Sequence, residues 1–147
     1  DWQWHVYGSG EMRQMLEEKI EEYRLEDQLI LKGNVDHAYR YYSDYAFLVL
    51  PSYREGLPLV LLEALELGLP MVSFDIETGP NEIIEDGKNG YLIPPYDLEQ
   101  MGQRMTELME DASRRKAFST YEGNKDKFSK NTILKQWIRL IEGLHEK

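Results

Sequence analysis

Two glutamates eight positions apart, Glu55 and Glu63, mark the stretch of this chain best suited to chemistry: Pro51-Ser52-Tyr53-Arg54-Glu55-Gly56-Leu57-Pro58-Leu59-Val60-Leu61-Leu62-Glu63-Ala64. Helical spacing over 57–67 puts Glu55 just ahead of a helix and Glu63 about two turns inside it. At a helical rise, eight residues separate them by roughly 12 Å along the axis. Between them lies the helix start, where the N–H groups of Gly56, Leu57 and Leu59 have no intrahelical acceptor. Such an end attracts anions. Gly56 lacks a Cβ, so a bulky anion can approach the backbone. Glu63 is expected to be mostly buried among Leu61, Leu62, Ala64 and Leu65, where a carboxylate needs hydrogen-bond donors. Sugar hydroxyls would supply them. The pieces fit a ligand with a hydroxylated group at each end and an anion in the middle, as in a nucleoside-diphosphate sugar. The residues alone leave a plainer alternative open, with Glu63 a solvated edge residue beside Glu66 and Glu55 a favourable charge at a helix start.

Two other chemistries fit less well. Glycoside hydrolysis needs carboxyl groups flanking one bond, roughly 5–10 Å apart, and two glutamates spaced along a helix axis are poorly placed for that. The turn Gly8-Ser9-Gly10 is like the start of a dinucleotide fingerprint, but position 13 is Arg and the next strand ends at Lys32 rather than at an acidic ribose ligand. These mismatches argue against a nicotinamide cofactor. No Asp-x-Asp pair lies beside a strand end, so neither metal nor cofactor is expected. His5, His37 and His145 are scattered and take no role.

The elements that must position these residues alternate regularly. Apolar strands are expected at 2–6, 29–31, 46–50, 71–74 and 91–93. Helices are expected at 11–24, 57–67, 80–84, 97–109, 113–122 and 131–144, with a short one from Asp36, read as its N-cap, to about Ser43. Gly68 and Pro70 stop the helix at 57–67, Gly79-Pro80 opens the one at 80–84, and Asp97 caps the one at 97–109. Pro58, Leu59 and Val60 read as a buried helix start. Tyr39, Tyr41, Tyr42 and Tyr45 read as part of a half-buried amphipathic helix. Five strands separated by helices imply an α/β fold with a parallel sheet covered by helices on both faces. Ligands then bind at the carboxyl ends of the strands, in loops 7–10, 32–36, 51–57, 75–80 and 93–97.

The stretch 51–64 resembles the E-x7-E motif of retaining family-4 glycosyltransferases, the glycosyl transferases of group 1. Gly68-Leu69-Pro70, Val72, Gly79-Pro80-Asn81-Glu82-Ile83-Ile84, Asp86-Gly87 and Asn89-Gly90 follow in that family's order, and Leu31-Lys32-Gly33-Asn34-Val35-Asp36 is similar to its loop around the base. The resemblance covers nearly the whole chain. It implies the C-terminal, donor-binding half of a GT-B enzyme, Rossmann-like, with 1–147 a single nucleotide-sugar-binding domain truncated at its N-terminus. Glu55 would contact the transferred sugar and be catalytic, while Glu63 would hold the ribose hydroxyls. Gly56, Leu57, Pro58 and Leu59 would hold the diphosphate. Gly33 and Val35 would lie against the base, and Gly8 and Gly10 would face the phosphates. An Arg and a Lys that clamp the diphosphate would precede Asp1, and the acceptor domain would lie outside the chain. Residues 1–147 alone are therefore expected to transfer no sugar. The expected partner is a nucleoside-diphosphate sugar, with UDP-sugar favoured and no metal required. Two readings compete with transfer: a non-catalytic binding or scaffold module of the same fold, and a GT-B epimerase, which the match at 55–64 disfavours.

Composition agrees with a globular domain: 147 residues, 41% hydrophobic and 30% charged, with no cysteine. A cytoplasmic location is expected. The net charge of −10 repels polyphosphate and argues against nucleic acid as a partner. The charge is uneven, with nine basic and four acidic residues over 113–147 against eight basic and 23 acidic over 1–112. A basic C-terminal helix packed on an acidic body explains the split. The sharper alternative is a docking surface for a partner domain or an anionic membrane, which leaves peripheral membrane association of the full-length enzyme open.

Overall fold

The computed structural model describes residues 2–145 and divides into two compact units, 1–41 and 42–147. Asp1, Glu146 and Lys147, at the two ends of the expected domain, lie outside the described residues, as does the side chain of His145.

In the first unit β1 (Trp4–Tyr7) pairs parallel with β2 (Leu29–Gly33), Trp4 opposite Leu29 and Val6 opposite Leu31, with a register shift before Tyr7 meets Gly33. Between them runs α1 (Arg13–Tyr23), which buries Ile20 and ends on Arg24 at φ 54°. It starts two residues later than the pattern suggests. Met12 at its N-cap makes no side-chain hydrogen bond, and the Gly8-Ser9-Gly10 turn holds the chain out of helix until then.

The second unit holds β3 (Leu48–Leu50), α2 (Leu59–Leu67), β4 (Met71–Phe74), α3 (Pro80–Ile83), β5 (Gly90–Ile93), α4 (Leu98–Glu110), α5 (Ala112–Ser119) and α6 (Lys130–His145). Its strands form one parallel sheet in the order β3-β4-β5, with Leu48, Met71 and Gly90 in register. All four residues of β4 are buried, as a strand covered on both faces requires. Val72, Phe74, Tyr91, Ile93, Met101, Leu108 and Phe118 form one core cluster. The one buried hydroxyl on β4, Ser73, donates to the Leu50 carbonyl at 2.9 Å, so its burial is compensated. The parallel α/β architecture expected from the sequence is therefore present, with its five strands in a two-stranded and a three-stranded ladder.

Because β3, β4 and β5 are parallel and in register, the loops 51–58, 75–79 and 94–97 leave the same edge of the sheet. Asp97 caps α4 as expected, its carboxylate accepting from the Gln100 N–H at 2.9 Å. The expected helix from Asp36 is instead a 3-10 segment, Ala38–Asp44. His37, at φ 57°, separates Asp36 from it, so Asp36 does not sit at a cap position. Within this segment Tyr42 is buried, while Tyr39 and Tyr41 are exposed. Helix α6 carries an apolar stripe of Ile133, Leu134, Trp137, Ile138 and Ile141 that is exposed, so the stripe does not pack into a core among the described residues. No helix among the described residues is long and apolar enough to cross a membrane.

Candidate functional site

The loop that carries Glu55 is pinned at both ends. At its start, Tyr53 stacks on Tyr96 with ring centroids 4.5 Å apart and on the buried Phe74 at 5.6 Å. At its far end, the Thr78 hydroxyl donates to the Glu55 carbonyl at 2.7 Å. Gly79, at φ 97°, lies so close that a Cβ there would stand 2.6 Å from the Gly56 carbonyl oxygen and 2.7 Å from Pro58 Cδ. The 75–79 loop is itself braced by Asn81, whose amide donates to Asp75 at 3.1 Å and to the Ile76 carbonyl at 3.0 Å. The Glu55 backbone is thus fixed from two neighbouring loops. Its half-buried carboxylate has no hydrogen-bond or ion-pair partner among the described residues.

Helix α2 begins at Leu59, two residues after the expected start. Pro58 is its N-cap, at φ −73° and ψ 104°, and a residue before proline is disfavoured in the α region, so Leu57 does not extend the helix backward. Only Leu59 to Glu63 is helical, about 6 Å of axis, so the 12 Å helical spacing of the two glutamates does not apply. The anion-receptive end survives this shift. Gly56, Leu57, Leu59 and Val60 are exposed, and none of their N–H groups has a backbone acceptor among the described residues, whereas Leu61 and Leu62 both donate to the Pro58 carbonyl. The expectation of a buried helix start holds for Pro58 alone. Leu59 is 66% exposed and Val60 37%. The inward-facing positions of the helix are Leu61, Ala64 and Leu65, which rotates Leu59 and Val60 outward.

Glu63 is half-buried rather than mostly buried, and the protein already gives it one donor. The Tyr42 hydroxyl lies 3.1 Å from Glu63 Oε2. Burial pushes the Tyr42 phenol up to about 12, helped by the Glu63 charge and the hydrogen bond between them. Glu63 has no cationic partner within ion-pair distance among the described residues. Tyr42, Thr78 and Gly79 are the residues that sequence reasoning did not assign. Gly79 beside Pro80 was the visible signal for the loop, while nothing local ties Tyr42 to a residue 21 positions away.

The glycine turns of the first unit are held to each other. The Gly8 N–H donates to the Gly33 carbonyl at 2.8 Å, and the Asn34 amide donates to the Ser9 hydroxyl at 2.8 Å. Gly8 (φ 129°) and Gly33 (φ 71°) both need the conformational freedom of glycine. Beside them is a cavity of about 270 Å³ lined by Tyr7, Gly8, Gly10, Arg13 and Leu31. The structure therefore brings Gly8 and Gly10 together with the Gly33 loop, and the half-buried Val35 follows directly. It likewise gathers Glu55, Gly56, Leu57, Pro58, Leu59 and Glu63 at the start of α2. Among the described residues no three acidic or histidine side chains converge as a metal site would require.

The chain belongs to the glycosyl transferases group 1 family, which it matches over residues 1–125. It is 35% identical over 146 residues to an exopolysaccharide phosphotransferase from Streptomyces coelicolor, covering 97% of this chain and 15% of that protein. It is 32% identical over 139 residues to a poly(ribitol-phosphate) alpha-N-acetylglucosaminyltransferase from Staphylococcus aureus, covering 93% of this chain and 28% of that one. The crystal structure of a mutant of S. aureus TarM in complex with fondaparinux, alpha-GlcNAc-glycerol and UDP superposes with a TM-score of 0.87 at 32% identity, over 94% of this chain and 28% of that chain. The family and the GT-B class of fold expected from the E-x7-E resemblance are thus established, and the chain spans under a third of the length of these relatives.

Proposed function

We propose that this chain is the donor-binding part of a glycosyltransferase that moves a sugar from a nucleoside-diphosphate sugar to an acceptor hydroxyl, with retention, in glycan or polysaccharide synthesis. The observation that carries the reading is the start of α2, where an exposed run of N–H groups without backbone acceptors lies between two carboxylates without cationic partners among the described residues. The N–H groups suit the diphosphate, and each carboxylate suits the hydroxyls of a sugar. Glu55 is assigned to the transferred sugar and Glu63 to the ribose. Gly8, Gly10, Gly33 and Val35, on the joined turns of the first unit, are assigned to the phosphates and base. UDP is the favoured nucleotide, supported by its presence in the S. aureus TarM structure.

In this reading the bond from the anomeric carbon to the diphosphate oxygen breaks as the acceptor oxygen bonds to the same face of that carbon. The acceptor proton passes to the departing phosphate. Negative charge grows on the diphosphate, and prearranged N–H dipoles at a helix start stabilise it without having to reorganise. Activity of the full-length enzyme is accordingly expected to be unchanged by EDTA. Loss of activity restored by Mn²⁺ would contradict a site that relies on these dipoles.

Thermal shift of the full-length enzyme with UDP-, GDP- and ADP-sugars identifies the donor base. Steady-state kinetics of Glu63→Gln then test the assignment. Ribose hydroxyls are remote from the reacting carbon and change little in the transition state, so losing their partner removes uniform binding. The donor KM is expected to rise about tenfold or more, the usual scale for a hydrogen bond to a charged group, with kcat little changed. A normal donor KM with a lowered melting temperature would show instead that Glu63 serves only the fold.

A further inference from the structure

We propose that Tyr42 is a positioning residue for donor binding: its hydroxyl holds one oxygen of Glu63 so that the other is presented to the nucleotide's sugar hydroxyls. The inference rests on the assignment of Glu63 to the donor and extends it to a residue outside the E-x7-E stretch.

The geometry is specific. Tyr42 is 7% exposed, and a phenol buried to that degree needs a hydrogen-bond partner. It finds one in Glu63 Oε2 at 3.1 Å, from a 3-10 segment that precedes β3 to a helix that follows it. Glu63 Oε1 receives no donor among the described residues. A glutamate side chain has three rotatable bonds, and ordering it on binding would cost affinity. Fixing one oxygen beforehand removes much of that cost.

The choice of a phenol matters as well. Lysine or arginine at this position would pair with Glu63 and offset the charge that makes it a strong acceptor, and arginine could also occupy both its oxygens. A neutral donor leaves the full negative charge in place. Tyr42 keeps its proton throughout the physiological range, because burial and the adjacent carboxylate both oppose its ionisation. It therefore remains a donor to Glu63 across that range. No other hydrogen bond to Glu63 is found among the described residues, so Oε1 is open to a ligand hydroxyl.

The test is a double-mutant cycle on the full-length enzyme, with affinities measured by calorimetry for whichever of UDP, GDP and ADP the wild type binds most tightly. Tyr42→Phe keeps the ring and its packing and removes only the hydroxyl. It is expected to weaken the nucleotide about three- to tenfold and to raise the donor KM by a similar factor, while kcat and the melting temperature stay near wild type. Because the hydroxyl acts through Glu63, the double variant should bind no more weakly than Glu63→Gln alone. Additive losses, or a fall in melting temperature with unchanged affinity, would overturn the positioning role while leaving Glu63 as a donor contact. Unchanged affinity in Glu63→Gln itself would overturn both.

Discussion

Glu55→Gln in the full-length enzyme is expected to lower kcat about 10²-fold and to leave the donor KM close to that of wild type. The expectation follows from how Glu55 is held. Its backbone is fixed by the Thr78 hydroxyl at 2.7 Å and by Gly79 behind it, and the loop leading to it is anchored by the Tyr53–Tyr96–Phe74 stack. The carboxylate itself has no described partner. A rigid backbone carrying an uncommitted charge is suited to orienting one ligand group. In the proposed function that group is a hydroxyl of the sugar being transferred, next to the bond that breaks. A misoriented sugar still binds through its nucleotide but seldom reaches the reactive geometry, so kcat carries the loss. Glutamine preserves the shape and one acceptor, which keeps the fold out of the comparison. Steady-state kinetics with the donor varied separate the two parameters. If Glu55→Gln and Glu63→Gln shift kcat and KM alike, the two glutamates do not divide the roles as assigned.

The elements on either side of the site were readable because each is bounded by a residue with one strong local preference. Gly68 ends α2 at φ 67°, where a side chain would meet the Ser119 carbonyl at 2.6 Å. Asp97 caps α4 with a carboxylate. β4, four apolar or small residues between Pro70 and Asp75, falls where its composition places it. The start of α2 was less readable because Pro58 permits two outcomes. Proline suits the first turn of a helix, yet as the N-cap it adopts an extended ψ and restrains Leu57 too. The exposure of Leu59 and Val60 depends on which face α2 turns inward, which Leu61, Ala64 and Leu65 decide together. The placing of Glu55 ahead of α2, of Glu63 within it, and of Gly8 and Gly10 in a turn was legible from the sequence pattern. Tyr42 was not, since its meeting with Glu63 is a tertiary contact across a strand and its sequence neighbours are other tyrosines. The uncovered stripe of α6 was also hidden, because an amphipathic pattern states that a face is apolar and not what lies against it.

Gly79→Ala is expected to damage both stability and activity. At φ 97° and ψ −78° the backbone is in a region that L residues rarely occupy, at a cost of about 1–3 kcal/mol. The added Cβ would also stand 2.6 Å from the Gly56 carbonyl oxygen and 2.7 Å from Pro58 Cδ. Both neighbours are loop backbone or a proline ring, so neither can swing aside as a flexible side chain would. The 55–58 segment must move, and with it Glu55 and the N–H groups ahead of α2. Strain and displacement together should cost about 3 kcal/mol or more of stability, within the range of severe backbone substitutions. A displacement near 1 Å at the reacting end should lower kcat/KM by about 10²-fold or more. The matching control is Gly102→Ala on α4, an exposed helical position with nothing within 4 Å of the new Cβ. There alanine is the better helix former, and stability should rise by about 0.5–1 kcal/mol with activity unchanged. Chemical denaturation and donor-dependent kinetics on both variants read the two effects. An active, stable Gly79→Ala enzyme would show that the 75–79 loop does not support the Glu55 segment, and the positioning assigned to Thr78 and Gly79 would have to be withdrawn.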